Sequence, residues 1–130
     1  MHETQYNGRS KPVVLIVDDE PTMREAVKLI LSKNFDIVEA SNGVEAIRMY
    51  KEYKPDIVLM DIMMPIMNGI ECTKLLLKDD PDALILAITA YSSKKGKEIM
   101  EVGAKGILPK PFKRKDLVEF INRYLNEHRR

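Results

Sequence analysis

The sequence has little that would suggest a secreted, membrane-spanning or nucleotide-binding protein. Its single cysteine, Cys72, cannot form an internal disulfide bond, which favours a reducing compartment such as the cytoplasm. No apolar run approaches the ~20 residues that a membrane-spanning helix needs. No G-x-G-x-x-G motif occurs, which argues against a dinucleotide-binding fold. Internal repeats and low-complexity tracts are also missing.

The composition is that of one folded domain with an uneven distribution of charge. The 130 residues are 45% hydrophobic and 32% charged, which suits a single core and a well-solvated surface. The net charge of +1 conceals two different halves: residues 1–91 hold 10 basic and 15 acidic side chains, and residues 92–130 hold 11 basic and 5 acidic. A nucleic-acid-binding domain would be more basic overall. We therefore expect one acidic site and one basic face.

Five short apolar segments predict β-strands. Val13–Val17, Ile57–Met60 and residues 84–88 are unbroken apolar runs, typical of strands that are buried on both faces. Residues 35–40 include two acidic side chains, and Gly106–Pro109 ends in a proline, which cannot donate a ladder hydrogen bond. We expect these two segments at the edges of the sheet.

Helical patterns lie between the strands. Residues 23–31 carry apolar side chains at i, i+3, i+4 and i+7, and residues 70–77 and 117–125 show similar stripes. Residues that begin, cap or end helices mark several boundaries: Pro21, Asn42, Glu45, Ser92 and Gly103. Strands that alternate with helices predict an α/β fold, a (βα)5 doubly wound parallel five-stranded sheet. The edge assignments give the flavodoxin-like order 2-1-3-4-5.

Polar side chains follow the strands where they end. Ligands of parallel sheets bind at the margin formed by the carboxyl ends of the strands. The residues at this margin are Asp18, Asp19, Asp61, Thr89 and Lys110. Three carboxylates at one margin repel one another, and a hard divalent cation such as Mg²⁺ relieves the repulsion. Such a cation can also neutralise phosphoryl oxygens, and one carboxylate could act as a nucleophile and become an aspartyl phosphate.

Four segments in order carry a family resemblance. They are VDDE at 17–20, DIMMPIMNG at 61–69, TA at 89–90 and KPF at 110–112. With these segments the chain resembles a response-regulator receiver domain of two-component signalling, similar to the single-domain chemotaxis type. The resemblance spans residues 11–128. We expect residues 1–11 to be a flexible N-terminal arm and residues 12–130 to form the receiver domain.

The resemblance implies a phosphoryl acceptor and its metal ligands. Asp61 would accept the phosphoryl group from a phosphohistidine of a histidine kinase or phosphotransfer protein. Asp19 and Asp61 would bind Mg²⁺ directly, together with the backbone carbonyl of Met63. Asp18 would assist the metal site through water.

The resemblance also implies how the signal leaves the site. Lys110 would pair with the phosphoryl group through a cis Lys110–Pro111 bond, and Thr89 would shift towards that group. The output would be a face made of the fourth helix, fifth strand and fifth helix, the α4-β5-α5 face. Family members place an aromatic ring where this chain has Ile107, so either Tyr91 shares the switch or the face responds through its backbone alone.

The same face carries a concentration of basic side chains. They are Lys94, Lys95, Lys97, Lys105, Lys113, Arg114 and Lys115. These side chains form either an ordinary solvated surface or a surface that attracts an acidic downstream protein. Because the chain ends where the fifth helix ends, we expect it to act by binding a partner, unless it is part of a longer protein. It would be a monomer or a phosphorylation-dependent dimer, without direct contact to nucleic acid or membrane.

Two other functions fit parts of the pattern. A haloacid-dehalogenase-like phosphohydrolase also uses aspartate and Mg²⁺, but it needs a second acid two positions after its nucleophile, where Met63 stands. A receiver-like module that binds partners without being phosphorylated is favoured only by Ile107. Other reactive side chains give no site: Cys72 has no neighbouring histidine in the sequence and suggests a packed thiol, and His2 and His128 lie at the chain ends.

Overall fold

The computed structural model describes residues 11–90 and 93–128 of the chain. Within these residues, five strands and five helices alternate, which confirms the predicted (βα)5 pattern. The strands are β1 (Val13–Val17), β2 (Asp36–Ala40), β3 (Ile57–Met60), β4 (Ile85–Thr89) and β5 (Gly106–Pro109). The helices are α1 (Pro21–Leu31), α2 (Gly43–Tyr53), α3 (Gly69–Asp79), α4 (Ser93–Glu101) and α5 (Arg114–His128).

The strands form one parallel sheet in the order β2-β1-β3-β4-β5, as predicted. Every residue of β1, β3 and β4 is buried, because these strands lie in the centre with helices on both faces. The edge strand β2 begins at the exposed Asp36, and the other edge strand, β5, ends at the exposed Pro109. The edge placement of the two strands with polar or proline residues is therefore confirmed.

Two apolar layers cover the sheet. Leu15 and Val17 of β1 belong to the layer under α2, α3 and α4, whereas Val14 and Ile16 belong to the layer under α1 and α5. The alternation follows from the pleat, which points successive side chains to opposite faces. Full burial of each such side chain stabilises the fold by about 1.5–3 kcal/mol. The two layers fix the sheet firmly enough to hold its polar margin in place.

Two of the predicted helix starts are found in the structure. Pro21 is the first residue of α1, where its missing N–H is not needed. The Asn42 side chain accepts a hydrogen bond from the Glu45 N–H at 2.9 Å, as a capping box requires. The Glu45 carboxylate accepts from the Ser41 N–H at 2.6 Å, one residue before the cap. The predicted box is thus present, with its second half shifted by one residue.

Gly103 ends α4, as predicted. Its φ of 124° lies in the left-handed region, and its N–H donates to the Met100 carbonyl while the Ala104 N–H donates to the Ile99 carbonyl. These two hydrogen bonds form a Schellman motif. A Cβ at Gly103 would also lie 2.4 Å from Cδ1 of Leu77 in α3. The backbone conformation therefore requires glycine here, and a larger residue would also have to displace the end of the Leu77 side chain.

Some predictions fall outside the described residues: the N-terminal arm over residues 1–10, the helix cap at Ser92, and the alternative switch role of Tyr91. Among residues 11–90 and 93–128, no helix has the length and apolar character needed to cross a membrane.

Candidate functional site

The carboxyl ends of the strands bring the predicted site residues to one margin. Asp18 follows β1, Asp61 follows β3, Thr89 is the last residue of β4, and Lys110 follows β5. The sheet continues for one residue beyond two of these ends: the Asp61 N–H donates to the Val17 carbonyl at 2.9 Å, and the Lys110 N–H donates to the Thr89 carbonyl at 2.9 Å. The backbone at the margin is therefore held by the sheet itself.

Three carboxylates converge at this margin. Asp18, Asp19 and Asp61 each offer an oxygen within 4.8 Å of the oxygens of the other two. Asp18 and Asp61 are buried, at 3% and 7% exposure, while Asp19 is exposed. Close, partly desolvated carboxylates repel one another, and an all-oxygen cluster of this kind is chemically suited to a hard divalent cation. The cluster could therefore hold a metal ion.

The ammonium of Lys110 lies next to two carboxylates of the cluster, those of Asp18 and Asp61. Its Nζ donates to Oδ2 of Asp18 at 3.0 Å and lies 3.7 Å from Oδ1 of Asp61. Burial by itself would lower the pKa of Lys110, but the hydrogen bond to Asp18 and the charges of Asp61 and Asp18 outweigh that effect and raise it. Lys110 is therefore a fixed positive charge beside the buried carboxylates.

Asp61 is the carboxylate whose pKa is most clearly disturbed. Burial, and then the charge of Asp18, raise the pKa of Asp61 to about 6. Lys110 and the Ile62 N–H, which donates to Oδ1 of Asp61 at 2.9 Å, act in the opposite direction without cancelling the rise. The raised pKa shows that ionisation of Asp61 is unfavourable in this buried and acidic surrounding, first because of burial and then because of the charge of Asp18.

A cavity of about 290 Å³ opens at the cluster, and its lining residues are Asp19, Glu20, Asp61, Met63, Ala90 and Lys110. Asp61 lies in the wall of this cavity. Thr89 is fully buried at the end of β4, immediately before the exposed Ala90. The Lys110–Pro111 peptide bond is cis, as expected.

The quoted motifs contain Glu20, Asn68 and Gly69, but the sequence alone gave none of them a role in this site. Glu20 adds a third acidic side chain to the cavity wall, beside Asp19 and Asp61. Gly69 begins α3 beside Asp61, and a Cβ there would lie 2.1 Å from the Asp61 carbonyl oxygen. Asn68 caps the same helix by accepting from the Glu71 N–H at 2.9 Å. The Asn68-to-Glu71 spacing matches the signal that identified α2 and could have revealed this cap.

The structure separates other candidate residues from the margin. Cys72 is fully buried in the layer under α2 and α3, and burial raises the pKa of its thiol to about 12, which confirms a packed thiol. His128 is exposed, with its Nε2 2.6 Å from the carbonyl oxygen of Asp82 in the loop before β4. That loop lies at the amino ends of the strands, away from the site. His2 lies outside the described residues.

On the α4-β5-α5 face, the aliphatic Ile107 occupies the position where an aromatic ring was expected from the family resemblance. Ile107 of β5 is half-buried, and a Cβ at Gly96 of α4 would lie 2.9 Å from its Cδ1. Ile107 therefore packs directly against α4. The seven basic residues predicted for this face are exposed except Lys95, which is half-buried and lies 3.9 Å from Glu98.

Comparisons with known proteins agree with the fold. The model of the family described as the response regulator receiver domain matches residues 14–122. The chemotaxis protein CheY of Halobacterium salinarum is 44% identical over 111 residues, which are 84% of this chain and 92% of that protein. The Thermotoga maritima protein of the same name is 45% identical over 113 residues, covering 85% of this chain and 94% of its own length. The solved structure of Vibrio cholerae chemotaxis protein CheY4 superposes with a TM-score of 0.83 at 30% identity, covering 88% of this chain and 98% of that one.

These similarities argue against one of the functional classes that the sequence left open. The relatives are signalling proteins, and the position two residues after Asp61 holds Met63, so a haloacid-dehalogenase-like phosphohydrolase has no support. Phosphorylation of an aspartate and binding of Mg²⁺ are typical of receivers, and the acidic cluster agrees with both. With a family match across most of its length and a relative 45% identical, the chain belongs to the response regulator receiver family.

Proposed function

We propose that Asp61 accepts a phosphoryl group from a phosphohistidine of a histidine kinase or phosphotransfer protein in a Mg²⁺-dependent reaction. The position of Asp61 in a cavity, between two further carboxylates and the Lys110 ammonium, carries this proposal. An Asp61 oxygen attacks phosphorus, and the bond from phosphorus to the imidazole nitrogen breaks. The electron pair of that bond remains on the nitrogen, which takes a proton from water.

The donor set suits direct Mg²⁺ ligation by Asp19, Asp61 and the backbone carbonyl of Met63. Asp18 serves the site through water, because its two oxygens already accept from the Glu20 N–H at 2.9 Å and from Lys110 at 3.0 Å. Mg²⁺ usually keeps several waters, which agrees with so few protein ligands. When bound, the ion neutralises charge on the phosphoryl oxygens.

Lys110 and Thr89 act on the transferred group. The Lys110 ammonium lies 3.0 Å from Asp18 and 3.7 Å from Asp61, so a small rotation lets it pair with phosphoryl oxygens on Asp61. Thr89, at the end of the neighbouring strand β4, shifts towards the phosphoryl group after transfer. The only reactions of the chain are its own phosphorylation and the hydrolysis of the resulting acyl phosphate.

The output is a change in affinity for a downstream protein at the α4-β5-α5 face. Phosphorylation shifts the population between two states of this face. Ile107 has no ring to rotate, but its contact with Gly96 lets a movement of β5 reach α4 directly. The exposed lysines near the starts of α4 and α5 favour an acidic partner in the cytoplasm. The receiver works as a monomer or as a phosphorylation-dependent dimer.

Acetyl phosphate with Mg²⁺ provides the direct test, because it needs no partner protein. Intact mass measurement of the wild type should show the gain of one phosphoryl group, and Asp61→Asn or wild type with excess chelator should show none. A variant that changes an acid outside the cluster, Asp36→Asn, should react like the wild type. Failure of the wild type to gain mass would contradict the proposal and would favour a constitutive binding module.

A further inference from the structure

Arg24, in the first turns of α1, connects the acidic loop after β1 to the edge strand β2. Its Nη1 donates to the backbone carbonyl of Asp18 at 2.6 Å, and its Nε donates to Oε1 of Glu39 at 3.2 Å. The Arg24 side chain is 17% exposed, and that of Glu39 is 35% exposed. One largely buried guanidinium therefore bridges the end of β1 and a residue of β2.

The contact to the Asp18 carbonyl fixes the course of the backbone into Asp19. The Asp18 N–H already donates to the Ala40 carbonyl at 3.1 Å, so Asp18 is held on one side by β2 and on the other by Arg24. The peptide group between Asp18 and Asp19 is planar, and a hydrogen bond to its oxygen limits rotation of the whole plane. The direction in which Asp19 leaves the backbone is therefore set by Arg24.

Asp19 depends on such a constraint more than its neighbours do. It is exposed, whereas Asp18 and Asp61 are buried and are held by hydrogen bonds to their side chains. Its carboxylate nevertheless lies within 4.8 Å of theirs, in the geometry that a shared cation needs. A residue that fixes the direction of the backbone at Asp19 therefore controls whether the Asp19 carboxylate faces the other two.

We propose that Arg24 is a positioning residue for the cation site, oriented by Glu39 and acting through the Asp18–Asp19 peptide group. The inference rests on the proposed function, since it concerns how this chain binds Mg²⁺. The guanidinium suits the task because its planar fork donates to two acceptors in fixed directions. A lysine would keep the charge but lose the fork. Glu39, one of the two acids in β2, acquires a function as the group that orients Arg24.

Electrostatics and positioning predict opposite effects when Arg24 is removed. The loss of a positive charge near three carboxylates should by Coulomb's law strengthen the binding of a cation. The loss of positioning should weaken binding, as happens when residues that orient metal ligands are replaced. The direction of the change in Mg²⁺ affinity therefore separates a positioning residue from an ordinary surface ion pair.

Mg²⁺ titration followed by amide chemical shifts in NMR measures this affinity without any phosphorylation. Arg24→Ala should bind Mg²⁺ about tenfold more weakly than the wild type. Arg24→Lys should recover only part of the loss, and Glu39→Gln should weaken binding less than Arg24→Ala. Lys28→Ala is the matched control, because Lys28 lies 3.6 Å from the other oxygen of Glu39, and its removal should leave affinity unchanged or slightly higher.

Thermal unfolding without Mg²⁺ establishes that each variant is folded. If Arg24→Ala does not fold, Arg24→Lys carries the test, and weaker Mg²⁺ binding by that variant supports the inference. A folded Arg24 variant that binds Mg²⁺ as tightly as the wild type, or more tightly, would overturn the positioning role and leave the proposed function intact. A wild type without Mg²⁺ binding would overturn both.

Discussion

At the scale of a single residue, Asp61 lowers the stability of the metal-free fold. Its carboxyl group is 7% exposed and close to Asp18, and both conditions raise its pKa to about 6 from the ordinary value of 3.8. Between these two values the folded state holds a proton that the unfolded state releases. The free energy of unfolding therefore falls as the pH rises from about 4 to about 6, and it stays lower at neutral pH without metal.

Replacing Asp61 by asparagine should stabilise the metal-free protein at neutral pH. The neutral amide removes both the cost of burying a charge and the repulsion from Asp18, and a pKa raised from 3.8 to about 6 corresponds to about 3 kcal/mol as an upper value. Denaturant unfolding in chelator should show a stability difference at pH 7.5 that shrinks as the pH falls to about 4. Asp36→Asn, at an exposed position of β2, is the control and should change little. A constant difference across this pH range would contradict the assigned cause.

At the scale of elements, the approach of α3 to the end of β3 shapes the site. The Gly69 N–H donates to the Ile62 carbonyl at 2.7 Å, and no side chain fits between Gly69 and the Asp61 carbonyl. The sequence pattern located α3 through its apolar stripe but could not reveal this close contact. Close backbone approach is a property of two elements placed together, which no local pattern records.

Gly69→Ala should therefore both destabilise the fold and impair the site. An added Cβ 2.1 Å from a backbone oxygen forces α3 or the Asp61 peptide to move, at a cost of about 1–3 kcal/mol. Thermal unfolding should reveal the loss, and phosphorylation by acetyl phosphate should slow. Gly96→Ala is the matched control, since its Cβ would meet only the flexible end of Ile107 at 2.9 Å and should have a small effect. Equal effects of the two substitutions would argue against a special role for Gly69.

At the scale of the whole molecule, the order of the strands decides which residues meet. β1 and β3 are neighbours in the sheet, where Val17 pairs with Met60, although 43 positions separate Asp18 from Asp61 in the sequence. Asp18 and Asp61 follow these paired residues directly. Lys110 follows β5, which pairs with β4, and β4 in turn pairs with β3. The acidic cluster therefore exists only in the folded chain, and the binding of a cation to it would be linked to folding.

Mg²⁺ should accordingly stabilise the wild type against unfolding. A concentration ten times the dissociation constant adds about 1.4 kcal/mol, because the unfolded chain lacks the assembled site. Differential scanning calorimetry should show a melting temperature that rises with Mg²⁺. Asp19→Asn, a change at an exposed position, should abolish most of the rise, and NaCl at matched ionic strength should not reproduce it. An equal rise in the variant would place the ion elsewhere.

The sequence by itself determined the alternation of strands and helices, the two edge strands, and the five residues at the strand ends. These features are local or follow from burial, because a strand such as β1 can be fully apolar only in the centre of a sheet. Only the tertiary structure decided that Arg24 reaches back to the Asp18 carbonyl, that Gly69 touches Asp61, and that Lys110 rests against Asp18. Such contacts depend on distances between separate elements, and a linear pattern of residue types contains no distances.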